Sequence, residues 1–286
     1  MDIIDIHAHV FPVLIARKAA DSIADFYHIS PHHDGTVKQL LEYSEEAGIS
    51  RTCIHSVAVT PQTVPAINRF ISESVRANPD RLFGYAAIHP DDPELEAMPE
   101  KALQAGLRGF KIHPDMQRFA LDSEAAMRMF SIIEGKLPII IHTGDYRYEY
   151  SRPWQMKKVL DAFPRLVCVC AHLGGWSEWW SESWNVMADY ENVYVDTSSS
   201  LYAMTRENAV AVIRHYSRDR VLFGTDFPMW NPKEELKRFQ ALGLTSDEEE
   251  RILHLNAERL LRLADVPEPA PEASSPPGYD SCSSSD

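Results

Sequence analysis

Apolar residues in this chain follow two alternating rhythms. Short runs rich in β-branched and aromatic residues recur as "DIIDIH", "RTCIHSVAV", "RLFGYAAIHP", "LRGFKIHP", "LPIIIHTG", "RLVCVCAHLGG", "NVYVDTSSS" and "RVLFGTDFP". Bounded by turn formers, each reads as a strand. After the first they begin roughly every thirty residues, the length of one strand plus one helix. Between them the period lengthens to that of a helix. Val64, Ile67, Ile71 and Val75 form one stripe that ends at Asn78 and Pro79. "DSEAAMRMFSIIEGK" starts with Asp122 as its expected N-cap; "TSDEEERILHLNAERLLRL" starts with Thr245 as cap and acidic residues in the first turn. About eight strands alternating with helices predict an α/β protein with a parallel sheet, either doubly wound or closed. No Gly-x-Gly-x-x-Gly follows any strand, so the pattern predicts a closed (β/α)8 TIM barrel rather than a dinucleotide-binding sheet.

Two stretches depart from this rhythm. "FPVLIARKAADSIADFYHISPHHDGT" lies in the first βα connection, about residues 10–50, and is too irregular for one crossover helix. Such an insertion predicts a lid over the active end of the barrel or a docking surface. From Val266 to Asp286 the chain is rich in Pro and Ser and has little apolar area to bury, which predicts a disordered tail with no catalytic role. The expected domain is one barrel over residues 1–265.

Composition narrows the partners. A net charge of -14 counts against nucleic acid and anionic membrane, which call for basic surfaces. No run approaches the ~18 consecutive apolar residues of a membrane span. Asp2 and Asp5 stand where a secretion signal would carry basic residues, which predicts a cytoplasmic protein. Cys53, Cys168 and Cys170 lie in apolar runs and Cys282 in the tail, the placing of reduced thiols rather than of a disulfide framework. The expected partner is a small molecule. A carboxylated one is compatible with the charge, because a few arginines set the sign of one pocket.

Chemistry concentrates at the carboxyl ends of the strand-like runs: His7 and His9, His55, His89, Lys111 and His113, His142, His172, Asp196 and Asp226. In a parallel barrel these ends meet on one rim, where active sites are built. Alternate strand residues share a face, so His7 and His9 stand together, roughly 6.6 Å apart along the strand, and can reach one cation. The same parity puts Asp5 on the face of His7, as support for the strand or as a carboxylate behind a ligand.

The ordered set "DIHAHV", "IHTG", "AHLGG" and "GTDFP" resembles the amidohydrolase superfamily, in its amidohydrolase-2 branch, over residues 1 to about 264. The resemblance implies one divalent ion held by His7, His9, His142 and Asp226, with Zn²⁺ expected first and Mn²⁺ second. It implies a catalytic part for His172, which would handle a water or protonate substrate carbon, and for Asp226 as a proton acceptor. Lys111 is expected to bind a substrate carboxylate or pair with a neighbouring Asp; a carbamylated bridge between two metals, as in binuclear members, is the lesser expectation. His113, Trp176, and Arg147 with Arg152 in "GDYRYEYSRPW" are the further candidates for substrate contact. Trp176, Trp179, Trp180 and Trp184 follow helix spacing, which suits packing on the barrel or contact between copies in a homo-oligomer.

Three functions remain open on this reading. A hydrolase that activates water against a small ester, lactone or amide is expected first, because the chain lacks large extra insertions. A carboxy-lyase acting on a small aromatic or unsaturated carboxylic acid is the alternative. The third is a barrel that binds metal without turnover.

Overall fold

A computed structural model describes residues 2–29, 33–176 and 180–263. Its strands are β1 (Ile4–His9), β2 (Arg51–His55), β3 (Leu82–Gly84), β4 (Ala86–Ala87), β5 (Phe110–Ile112), β6 (Ile139–Ile141), β7 (Cys168–Cys170), β8 (Val193–Asp196) and β9 (Val221–Leu222). They form two parallel ladders, β1 to β3 and β4 to β9. β3 and β4 are halves of one strand parted at Tyr85. The Tyr85 N–H bonds the Ile54 carbonyl (3.0 Å), while the Ala86 N–H bonds that of Gly109 (2.7 Å). At the other break, the Ile6 N–H donates to the Phe223 carbonyl (2.9 Å) and the Asp226 N–H to that of His7 (2.8 Å). Both gaps are thus bridged, and eight strand positions close into the expected TIM barrel.

Twelve α-helices accompany the strands among the described residues: α1 (Ala16–Tyr27), α2 (Val37–Ala47), α3 (Val64–Ala77), α4 (Met98–Gln104), α5 (Pro114–Gln117), α6 (Glu124–Ile133), α7 (Pro153–Ala162), α8 (Trp180–Met187), α9 (Arg206–His215), α10 (Pro232–Gln240), α11 (Ser246–Glu250) and α12 (Asn256–Leu263). Thr245 caps α11 in a reciprocal box with Glu248, as the sequence predicts. Asp122 does not cap α6. Ser123 accepts the Ala126 N–H instead, and the Asp122 carboxylate turns to Lys158 (2.6 Å) and Gln155 (3.0 Å) on α7. A cap must sit where the extended chain enters the first turn, and that point falls one residue later than expected.

Ile6, Cys53, Tyr85, Ile140 and Val169 belong to one fully buried cluster in the barrel interior. Ala257 and Leu260 of α12 close it from the amino-terminal side, where Glu258 pairs with Arg51 at the start of β2 (3.1 Å). The larger apolar layer lies between strands and helices. With its lower half filled by side chains, the barrel leaves only its carboxyl-terminal end for polar work.

The first insertion holds two helices rather than one irregular connection. α2 packs beside α10 as the crossover helix, and α1 lies over the rim. Trp184 is partly buried against the core, in keeping with the packing expectation. Trp179 and the 266–286 tail lie outside the described residues.

Candidate active site

The pairing of β1 with β2 shifts by one residue between Asp5 and Ala8. This bulge changes the parity of the strand. Ile4 and Ile6 join the interior cluster, yet both His7 and His9 still project into the barrel above them, as a bulge beside an active site allows. Asp5 therefore does not follow His7. Its carboxylate accepts the Thr225 hydroxyl (2.6 Å) and N–H (3.0 Å), tying β1 to the chain after β9. Strand support is its part.

His7 Nε2 and His9 Nε2 lie 3.3 Å apart, and each is 3.5 Å from Asp226 Oδ1. Donors sharing one ion at ~2.1 Å and near-tetrahedral angles stand about 3.4 Å from each other, so this trio fits a small divalent cation. The tautomer fits as well. His7 Nδ1 donates to Asp196 Oδ2 (2.9 Å), which leaves the Nε2 lone pair pointing at the trio. Asp226 is held in turn by the Ser199 hydroxyl on Oδ2, and Ser199 accepts from Trp230 Nε1 (2.8 Å). Burial, then the charge of Lys111, pushes His7 well below its usual value, and His9 down to about 3. Both are neutral imidazoles, the state a metal requires. Lys111 is itself buried, with Nζ 3.2 Å from His7 Nε2. Desolvation brings it down to about 8, while Asp196 and Asp226 favour its charge.

His142 is arranged differently from the expected fourth ligand. His172 Nδ1 lies 2.9 Å from the Ser198 carbonyl, an atom that only accepts, so Nδ1 carries the proton and Nε2 does not. His172 Nε2 then accepts from His142 Nδ1 (2.9 Å). The remaining His142 nitrogen, Nε2, accepts from the Tyr27 hydroxyl (3.3 Å). His113 Nδ1 accepts the Met116 N–H, so its Nε2–H donates to the Tyr27 oxygen. A single set of tautomers satisfies the whole chain from Ser198 to Met116.

Tyr27 comes from the end of α1 and is the residue that the sequence reading missed. Nothing local marks it; only its place in the rim-covering insertion pointed there. It brings the lid onto His113 and His142.

A cavity of about 170 Å³ opens beside these groups. His9, His113, His142, His172, Ser199 and Asp226 form its polar side, and Phe11, Ile23, Val57, Met116, Trp176 and Met229 are among its apolar walls. His113 and Trp176 thus stand where a substrate would touch them. Arg147 and Arg152 do not line it. Arg147 makes two bonds to the buried Asp145 carboxylate (3.0 and 2.7 Å) and donates to the Phe26 carbonyl of α1. Arg152 donates to Glu149 (2.6 Å) and the Tyr146 carbonyl (3.1 Å). Local carboxylates and carbonyls occupy both guanidinium groups. Lys111 faces His7 rather than the cavity wall.

Among the described residues, two sets of three donors come within 4.8 Å of one another: His7, His9 and His55, and His113, Asp115 and His142. In the second set both imidazoles are hydrogen-bonded, while Asp115 keeps one oxygen without a partner. Its two imidazoles stack face to face at 3.8 Å, and Asp115 accepts from Ser151 (2.6 Å) while burial raises it to about 7. The first set keeps free lone pairs.

One curated relative, the gamma-resorcylate decarboxylase of Polaromonas sp. (strain JS666 / ATCC BAA-500), is 22% identical over 257 residues, covering 71% of this chain and 77% of the relative. An uncharacterised TIM-barrel protein of Bordetella bronchiseptica superposes with a TM-score of 0.77 at 22% identity, over 92% of this chain and 99% of its own. A dihydroxybenzoic acid decarboxylase of Polaromonas sp. JS666, solved with manganese and 2-nitroresorcinol, superposes with a TM-score of 0.72 at 16% identity, over 93% and 98%. The family model described as amidohydrolase (Amidohydro_2) matches residues 4–263, and the chain belongs to that family, as an enzyme of the amidohydrolase type.

Proposed function

We propose that this protein is a metal-dependent carboxy-lyase that removes carbon dioxide from a small hydroxylated aromatic acid. The observation that carries this reading is the cavity. Its volume of about 170 Å³ is close to the ~150 Å³ that accommodates one benzene ring. Its described lining combines apolar side chains with a group of histidines and a carboxylate, and none of those residues is Lys or Arg. The curated relative named above is a decarboxylase. The preference for hydrolysis rested on missing insertions, and that argument loses its force. A decarboxylase of this fold is covered over 98% of its length by 93% of this chain, so decarboxylases do not need them.

In this reading His7, His9 and Asp226 hold the ion, Mn²⁺ or Zn²⁺. Such an ion would neutralise the oxygens of the bound acid. Asp196 fixes the His7 ring and Ser199 fixes Asp226, so the donors keep their aim. Decarboxylation breaks the bond between ring and carboxyl carbon, leaves the electron pair on the ring carbon and requires one proton there. His172, bonded through Nδ1–H to the Ser198 carbonyl, would take the acid's own proton at Nε2 as the substrate binds in its anionic form, and return it to the ring carbon when carbon dioxide leaves. Apolar walls and the α1 lid keep bulk water away from the reacting carbon.

Protein loaded with Mn²⁺ or with Zn²⁺ should release carbon dioxide from one or more dihydroxybenzoates. Turnover of a lactone, ester or amide, with no carbon dioxide from any aromatic acid, would overturn the reading in favour of hydrolysis.

A further inference from the structure

The α1 lid places one polar group of its own, the Tyr27 hydroxyl, where a bound acid would meet it. Tyr27 lines the cavity beside His113, His142 and Trp176, with its ring 4.8 Å from that of Trp176. Among the described residues its hydroxyl bonds only His113 and His142. The oxygen accepts from His113 Nε2, and the single proton goes to His142 Nε2 (3.3 Å). His113 cannot take that proton instead, because its one lone pair, on Nδ1, accepts the Met116 N–H (3.3 Å). A neutral imidazole has one lone pair, so His142 serves either Tyr27 or an ion.

The family resemblance implies that His142 joins His7, His9 and Asp226 on the ion, and His142 shares the cavity lining with His9 and Asp226. Whichever of its nitrogens bound the ion, the other would carry a proton. Tyr27 would then face imidazoles with no lone pair to offer, and its own proton would turn to the cavity. A buried donor without a partner is costly, and a ligand oxygen that accepts from it removes that cost. The ion would neutralise the carboxylate end of the acid, which leaves a ring hydroxyl as the oxygen for Tyr27. Resting on the metal-dependent, aromatic-acid reading proposed above, we infer that Tyr27 is a specificity-determining residue. Its hydroxyl donates to a ring hydroxyl of the bound acid once His142 holds the ion. A site built this way disfavours an acid that lacks the hydroxyl.

The test is binding, read without turnover. Wild type and Tyr27→Phe, both loaded with Mn²⁺, are titrated by calorimetry with 2-nitroresorcinol, the inhibitor held by the Polaromonas sp. decarboxylase, and with benzoate. The first has no carboxyl group to lose, and the second has no ring hydroxyl. Phenylalanine keeps the ring against Trp176, so only the hydroxyl is removed. One hydrogen bond of ordinary strength changes affinity by about 2–10-fold. Tyr27→Phe should therefore bind 2-nitroresorcinol up to ~10-fold more weakly, with its affinity for benzoate changed by less than ~2-fold. Zn²⁺ titrated into the stripped proteins against a chromophoric chelator should bind Tyr27→Phe as tightly as wild type, within about 3-fold, or more tightly, because no Tyr27 proton has to leave His142. A loss for 2-nitroresorcinol that exceeds the loss for benzoate by less than ~2-fold overturns the inference. So does a loss of Zn²⁺ affinity greater than about 3-fold, which would make Tyr27 a positioning residue for His142. Both outcomes leave the metal site and the aromatic-acid reading standing. Wild type that holds Mn²⁺ but binds neither probe would sink the aromatic-acid reading, and wild type that takes up no ion would sink the metal site; Tyr27 falls with either.

Discussion

Replacing Arg147 by Met should loosen the α1 lid. The guanidinium donates to the Phe26 carbonyl and lies 4.7 Å from the ring centroid of Phe26 and 5.2 Å from that of Tyr27. A charge-assisted hydrogen bond contributes ~1.5–3 kcal/mol, and two partly exposed cation–π contacts add about 0.5–1 kcal/mol each. The lid contacts together are on the order of 3 kcal/mol, or ~100-fold in the opening equilibrium. The same substitution strands the Asp145 carboxylate, a buried charge that costs several kcal/mol when unpaired, on the order of 3–5. Asp145→Asn must therefore be made alongside it, so that the double variant reports the lid contacts alone. Amide exchange followed by mass spectrometry is the assay. Amides of Ala16–Tyr27 should exchange ~100-fold faster, with those of β5 to β8 unchanged. The sequence reading gave Arg147 to a substrate carboxylate. Were that right, the double variant would raise KM for the acid steeply and leave α1 exchange at its wild-type rate. That result would refute the latch.

Two other outcomes follow from the rim and its surroundings. His172→Asn should keep its metal and lose turnover by ~10²-fold or more, as removal of a proton donor does; an emptied site would make His172 a ligand instead. Glu235, buried on α10, is raised from 4.5 to about 7 chiefly by desolvation, against the opposing pull of Arg238. The folded state holds a proton that the unfolded state has already lost between those values, so this group's contribution falls as pH rises from about 4.5 to about 7. Glu235→Gln should then gain stability over wild type between pH 4 and pH 8 by on the order of 3 kcal/mol in urea denaturation. A difference that stays constant with pH would remove the argument.

The barrel was legible because its rule is simple: strands repeat at one spacing, and parallel closure puts every carboxyl end on one rim. That rule alone gathered His7, His9, His142, His172 and Asp226 around one opening. What it could not supply was the extra residue in β1, since a bulge leaves no mark in "DIIDIHAHV" and reverses the face assigned to Asp5. Tyr27 was equally hidden. It meets His113 and His142 across 86 and 115 residues of chain, a tertiary contact to which periodicity is blind. Arg147 was misread for a different reason. Its partner Asp145 lies two residues away and was visible, but only the structure shows that Asp145 is buried and takes one edge of the guanidinium.

The residues of the site also carry structural work of their own. His172, Ser199 and Asp226 all hold positive φ, at 61°, 45° and 58°, a conformation that costs a non-glycine residue roughly 1–2 kcal/mol. Each is fixed by bonds between parts of the site. Asp196 Oδ1 accepts the His172 N–H (3.2 Å) while Oδ2 holds His7, and the Asp226 N–H binds the His7 carbonyl. Thr225 binds Asp5 across the same junction. Gly174 turns the chain after His172 at φ +82°, where a Cβ would run into the Tyr216 hydroxyl. The seam that closes the barrel between β9 and β1 is therefore also what holds Asp226 against His7 and His9. A change that opened this seam would spread the three donors apart before it unfolded the protein, which is why Thr225 and Asp5 would matter to the proposed metal site although neither is one of its donors.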